Sequence, residues 1–225
     1  SMKKLYSSGA LQLIPAAKGF VFMAKQNEVE DKFVVAYKLY DLETFRESLV
    51  TRSVYLLAKF GPNFKFFEKE LEDYINCVTV LLPDHGVFIA YPGGKCLRYD
   101  SECRLLWQGS VTYQSYGPAA AALDGDGIWL SFPECDTVVK YKLSTMRPEL
   151  RVGAGRSDLF IRPGALYLED GFLYVCSSSI NKITRLKLST FETEDYGSYI
   201  EPVKQFVKLD RRELVLTNSG IYIDL

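Results

Sequence analysis

Histidine is nearly missing from these 225 residues: His85 is the only one. A His-rich metal site is thereby excluded, and any histidine-based relay would have to run through that residue. Cysteine is sparse and unpaired in pattern. Cys77, Cys96, Cys103, Cys135 and Cys176 are odd in number and form no C-x-x-C pair, so they read as reduced thiols rather than a disulfide framework or zinc site. No apolar run approaches the roughly 18 residues of a membrane span. Lys3-Lys4 has no apolar stretch behind it, unlike a signal peptide. Net charge is also lacking: 27 basic against 28 acidic residues leave −1, which gives no case for nucleic acid or an anionic membrane as partner. A cytoplasmic monomer is the expectation.

What the chain does have is hydrophobic content of 48% against 24% charged, the balance of a globular protein with a sizeable core. Its 15 tyrosines and 14 phenylalanines bias it towards strands. These aromatics fall into a repeating phrase of two β-runs joined by a turn. Copies begin at Lys18-Gly19-Phe20, His85-Gly86-Val87, Asp126-Gly127-Ile128 and Asp170-Gly171-Phe172, with a weaker one at Arg212-Glu213-Leu214. Gly86 and Gly127 are 41 residues apart, Gly127 and Gly171 are 44 apart, and Gly19 precedes Gly86 by 67. The long first interval reads as one unit carrying an insertion at about residues 51–73.

The third and fourth copies show the whole unit. Ala119–Leu123, Ile128–Phe132, Thr137–Leu143 and Glu149–Val152 are predicted strands, and Ala165–Leu168, Phe172–Cys176, Lys182–Leu188 and Glu192–Tyr196 repeat the order. Asp-Gly between alternating apolar runs marks a hairpin because the turn needs positive φ. Four antiparallel strands in about 42 residues, repeated, make the blade of a β-propeller. The last copy offers Gln205–Leu209, Glu213–Thr217 and Gly220–Leu225 but no fourth strand. Lys3–Tyr6 resembles the fourth-strand endings elsewhere, so the N-terminal segment is expected to complete the final blade. The prediction is an all-β, five-bladed propeller over residues 1–225, a single domain with a closed ring.

Pro163-Gly164-Ala165-Leu166, Asp170-Gly171-Phe172-Leu173-Tyr174-Val175 and Asn181-Lys182-Ile183 resemble the repeat of NHL and gluconolactonase-like propellers. Cys176-Ser177 replaces that repeat's usual Ala-Asp, and Lys182 stands where Arg is common. Those families more often have six blades. The resemblance implies that the second-to-third-strand loops and the inter-blade connectors gather on one face around a central channel. Tyr91, Tyr113, Tyr116, Arg156, Asp158, Arg162, Tyr199 and Glu201 fall in those segments. Rings and charges on loops give large contact area with few torsions to freeze, so these are candidate binding residues; ordinary tyrosine packing between blades is the alternative.

In the insertion, Gly61-Pro62-Asn63 is a breaker followed by Phe64, Phe67 and Leu71. That spacing predicts a short helix beginning near Pro62, with Phe64 and Phe67 on one face. A hairpin of Val54–Phe60 with Phe64–Phe67 is the other reading. Either would serve as a partner-docking element or cap the channel.

No catalytic residue, metal ligand or cofactor is assigned. Gluconolactonase-like propellers hold a divalent metal with a Glu, an Asn and an Asp, the Glu usually in a Glu-Gly-Pro; the corresponding stretch here reads Leu11-Gln12-Leu13-Ile14-Pro15. Asp84, Asp124, Asp126 and Asp170 sit in hairpin turns, where aspartate serves the turn itself. Gly153-Ala154-Gly155-Arg156 lacks the Lys-Ser/Thr of a phosphate loop. The expected function is a non-catalytic scaffold binding a protein or peptide through its loop face. A metal-dependent lactonase or hydrolase acting on a small molecule, and a carbohydrate-binding propeller, are the alternatives.

Overall fold

The computed structural model describes residues 2–30, 32–69, 74–155 and 159–224. Twenty strands form five four-stranded antiparallel sheets, the blades of a five-bladed propeller. Blade 1 is built of β2 (Ala10–Ala16), β3 (Gly19–Val29), β4 (Lys32–Asp41) and β5 (Arg46–Leu49). Blade 2 contains β6 (Val78–Leu81), β7 (Val87–Ala90), β8 (Lys95–Tyr99) and β9 (Leu105–Ser110). Blade 3 contains β10 (Ala120–Asp124), β11 (Gly127–Phe132), β12 (Thr137–Lys142) and β13 (Arg147–Val152). Blade 4 contains β14 (Pro163–Glu169), β15 (Phe172–Ser177), β16 (Lys182–Lys187) and β17 (Thr193–Ser198). Blade 5 takes β18 (Val203–Leu209), β19 (Arg212–Thr217) and β20 (Gly220–Asp224), and its fourth strand is β1 (Met2–Tyr6).

Closure therefore follows the sequence pattern. Met2 pairs with Asp224 and Lys4 with Tyr222 in antiparallel register. Gly220 permits the last turn: it has φ +154, and a Cβ there would overlap the carbonyl oxygen of Tyr6. The second strands are the blades' apolar spines, with every residue of β7 and β11 buried. Their side chains fill the spaces between neighbouring sheets; Trp129 of blade 3, for example, packs with Leu173 and Val175 of blade 4. The turn acids serve local structure. Asp84 Oδ1 accepts from Gly86 N at 2.9 Å, and Asp124 accepts from Trp129 Nε1 at 3.1 Å and pairs with Lys140 at 3.2 Å.

The insertion between blades 1 and 2 is helical, as one of the two readings expects, but its helix is placed differently. The helix, α1 (Arg52–Phe60), lies ahead of the Gly-Pro breaker rather than after it. Thr51 is its N-cap, its Oγ1 accepting from Val54 N at 3.3 Å, and Gly61 ends it at φ +76 with its N–H on Leu57 O. The breaker is a stop signal: glycine takes the positive-φ cap and proline follows where no helix can continue. Phe64–Phe66 and Tyr74–Asn76 are single 3-10 turns, and Leu71 lies outside the described residues. α1 packs on β2, β3, β4 and β6. Its Tyr55, Leu56 and Phe60 join Phe64 and Phe67 in one core with Val21 and Met23 of blade 1 and Val87 and Ile89 of blade 2. The insertion is thus a wedge between the first two blades. β3 and β4 run on as a long paired hairpin to Val29 and Lys32.

Candidate functional site

The first strands of all five blades surround a recess of about 560 Å³. Blades 3 and 4 line it with Ala119, Ala120, Ala121 and Ala165, side chains too small to fill the channel. Lys25, in the second half of β3, and Asn218, in the β19–β20 turn, also line it. Second-to-third-strand segments and connector ends therefore meet at one mouth, as the repeat's resemblance implies.

Polar groups enter the recess where the inner strands depart from regular pairing. β2 carries a bulge between Leu11 and Ile14, and Gln12 takes φ +50 within it. That conformation turns the Gln12 amide towards the wedge. Its Oε1 accepts from Lys59 Nζ at 2.8 Å and Tyr55 OH at 3.1 Å, and its Nε2 donates to Ile75 O at 3.2 Å. Tyr55 and Lys59 stand four residues apart on α1, so one helix face delivers both to the bulge. β18 is bulged between Val203 and Gln205, and the Gln205 amide turns to the backbone of Leu13.

Lys25, Lys59 and Lys204 line the recess, and among the described residues no aspartate or glutamate does. Burial pulls the Lys59 ammonium down to about 8, because the charged form loses its hydration inside the protein. Thr79 stands on the same wall, and its buried hydroxyl oxygen has no hydrogen-bond partner among the described residues. A divalent metal of the gluconolactonase type needs carboxylate ligands, whereas this lining offers ammonium groups, amides and Asn218. Among the described residues the lining does not supply that donor set, and no group of three acidic, histidine or cysteine side chains is placed to hold a metal.

None of the eight candidate binding residues among the described residues lines this recess. Phe64 and Phe67 are buried in the wedge core, where they are packing residues out of reach of a partner. Tyr113 packs its ring 5.8 Å from Phe132 and pairs by its backbone with Tyr116, which is half exposed. Tyr91 is partly buried beside Lys95, whose ammonium lies 5.7 Å from the ring centre. Arg162 is exposed, its N–H held by Asp136 Oδ1 at 2.8 Å. Tyr199 is partly buried in the blade 4–blade 5 core, and burial pushes its hydroxyl up to about 12. Glu201 accepts from Ser219 N and Ser219 Oγ, and such bonds from Thr217 and Ser219 hold its carboxyl below the usual range. Arg156 and Asp158 lie outside the described residues.

Sequence reasoning passed over Gln12, Lys25, Lys59 and Lys204. Gln12 did leave a trace, as an amide interrupting an otherwise apolar inner strand. Lys59 left none, because its place in the channel depends on where the wedge docks.

The mouth has a rim as well as a centre. The connector from β9 to β10 exposes Tyr116, that from β13 to β14 exposes Ile161, and that from β17 to β18 exposes Ile200 at 82% of its surface. The wedge connector exposes Val54, Leu57 and Phe66, and the β3–β4 hairpin exposes Val29. All these segments belong to the mouth's end of the ring.

No family model matches the chain, and no curated protein matches it. Similarity appears in solved structures. A selenomethionine-substituted virginiamycin B lyase from Staphylococcus aureus matches with a TM-score of 0.61 at 10% identity, over 99% of this chain and 98% of that one. The computationally designed Ika4 protein gives 0.51 at 12% identity, over 65% of this chain and 88% of that one. Saccharomyces cerevisiae Sqt1 gives 0.50 at 9% identity, over 96% of this chain and 59% of that one. The lyase and Sqt1 are β-propeller proteins. At such identities the likeness is one of fold, and function has to be argued from the site.

Proposed function

We propose that the chain is a single-domain, non-catalytic, NHL-like β-propeller of the cytoplasm that binds a protein or peptide partner at the channel mouth. The observation that carries this reading is the rim. Four of the five inter-blade connectors at that end each present at least one exposed large apolar side chain: Leu57, Tyr116, Ile161 and Ile200. Single exposed apolar residues are ordinary on a surface. Their recurrence in successive inter-blade connectors supports a shared rim, where an extended partner would touch several at once. The binding residues carried forward from the sequence are Tyr116, Arg162 and Glu201, which lie on or beside these connectors.

Peptide display against the immobilised protein tests this. The expected result is a family of related sequences whose binding falls at least tenfold in the double variant Tyr116→Ala, Ile200→Ser. Both side chains are exposed, so the ring should keep its stability. Failure to select any sequence family, or selected peptides that ignore the double variant, would refute the reading. The lactonase alternative lacks support from the lining, since the recess brings three ammonium groups and no carboxylate among the described residues.

A further inference from the structure

We infer that the outer edge of blade 2 is a self-association surface, on which β9 pairs antiparallel with β9 of a second copy of this chain about a twofold axis at Gln108. This surface lies on the side wall of the ring and is independent of the partner proposed for the channel mouth.

Each blade ends in an outer strand, and such an edge invites pairing unless something blunts it. Charge blunts four of the five. β5 carries Arg46 and Glu47, and β1 carries Lys3 and Lys4. β13 carries Arg147, Glu149 and Arg151 with Pro148 among them, and β17 carries Glu194 and Asp195. β9 reads Leu105-Leu106-Trp107-Gln108-Gly109-Ser110, without a charged residue. Its Leu105 and Leu106 are half exposed. Beyond a bulge at Leu106 the strand is regular, Trp107 to Ser110 facing Arg98 to Lys95 in unbroken register. Val111 N donates to Gly94 O at 2.8 Å. By the alternation of an antiparallel ladder Gly109 also bonds inward, so the N–H and C=O of Gln108 and Ser110 point away from the blade. Both residues are exposed.

The strand's own sequence argues for a second copy as the occupant. Self-pairing about Gln108 sets Trp107 opposite Gly109 and Leu106 opposite Ser110. Each large side chain meets a small one, and the axis repeats the match. The Trp107 indole folds along its own strand over Gly109, where a Cβ would lie 2.7 Å from the ring. In the pair the two indoles therefore lie flat, side by side. The same operation at β13, about Glu149, opposes Arg147 to Arg151, and at β1 it brings Lys3 and Lys4 onto their copies; like charges so placed repel. A foreign strand would need no such internal match of sizes.

A single strand pair is a small interface, below about 1,200 Å², so a weak dimer that forms with concentration is expected. Sedimentation velocity of the intact protein from micromolar to about 1 mM should show the monomer giving way to a dimer. Gln108→Lys and Gln108→Glu each place like charges on the axis, and each should remain monomeric. The position is exposed, so both variants should melt with the wild type. An equimolar mixture of the two should recover the dimer, because the axis then joins an ammonium to a carboxylate. Hydrogen exchange reads the strand pairing itself: the Gln108 amide should exchange about threefold more slowly at the high concentration, whereas the inward-bonded Gly109 amide should not change. A wild type still monomeric at about 1 mM, a dimer that survives Gln108→Lys, or a mixture that stays monomeric would overturn the inference. Peptides selected at the mouth of a protein that never dimerises would sink this surface and leave the partner reading standing; a dimer with no peptide selected would do the reverse.

Discussion

Gln205 pairs with Leu13 as a neighbouring strand would. Its Oε1 accepts from Leu13 N at 2.9 Å, and its Nε2 donates to Leu13 O at 2.6 Å. The β2 bulge leaves that stretch of backbone outside the β2–β3 ladder, and a side chain from the fifth blade supplies both missing bonds. One residue thus satisfies the bulge and ties the last blade to the first.

Replacing Gln205 with alanine should therefore cost about 2 kcal/mol, because it leaves a donor and an acceptor unmade at the ring's seam. A urea melt reports the loss as a lower midpoint with unchanged slope. Wild-type stability in Gln205→Ala would show that water replaces the amide at no cost.

Gly220→Ala should be far worse, at about 3 kcal/mol or more. The new Cβ would meet the Tyr6 carbonyl oxygen, so relief requires β1 to leave β20. Loss of cooperative unfolding, or protease cleavage near Met2–Tyr6, is the expected reading. An intact, equally stable ring would show that closure does not depend on that turn.

Lys59 makes stability depend on alkaline pH. Below about pH 8 the folded and unfolded chains both carry the charged amine, and the burial penalty is complete. Between about 8 and the ordinary 10.5 the folded chain has released the proton while the unfolded chain keeps it, so stability rises across that window. The rise is at most about 3 kcal/mol, each tenfold step being worth about 1.4. Lys59→Met should flatten this part of the profile, and a wild-type curve already flat from pH 8 to 10.5 would contradict the burial assigned to the amine.

Cys96 and Cys176 should resist thiol reagents in the folded protein. Burial pushes their thiols up to about 11 and about 12, and only the thiolate attacks. Their labelling should become rapid only with global unfolding, as mass spectrometry of digested samples would show. Labelling at the rate of a model thiol would place them nearer the surface than the fold does.

Much of this architecture was legible because its signals are local and repeated. Asp-Gly and Asp-His-Gly turns, the apolar second strands and the orphaned fifth blade fixed the blade count and the role of Lys3–Tyr6. The wedge was misread because Gly61-Pro62 punctuates a chain without saying on which side the helix lies; Thr51, a good N-cap ten residues earlier, was the deciding signal. The site was the least legible part. Lys59, Gln12 and Lys204 are distant in sequence, and only a bulge at Gln12 and the docking of α1 bring them to one recess. Loop tyrosines looked functional by composition, but partial burial at Tyr113 and Tyr199 shows that such rings also serve as mortar between blades.

The pairing of Met2 with Asp224 also sets a timetable. β1 leaves the ribosome before the other strands of the ring, and its partner β20 emerges after all of them. At about 10 residues per second the wait is on the order of 20 s. Throughout that time β1 is a strand with no neighbour, free to join the wrong edge on another chain. The finished ring hides this hazard completely, so crowding and slow translation should trouble the nascent protein more than the mature one.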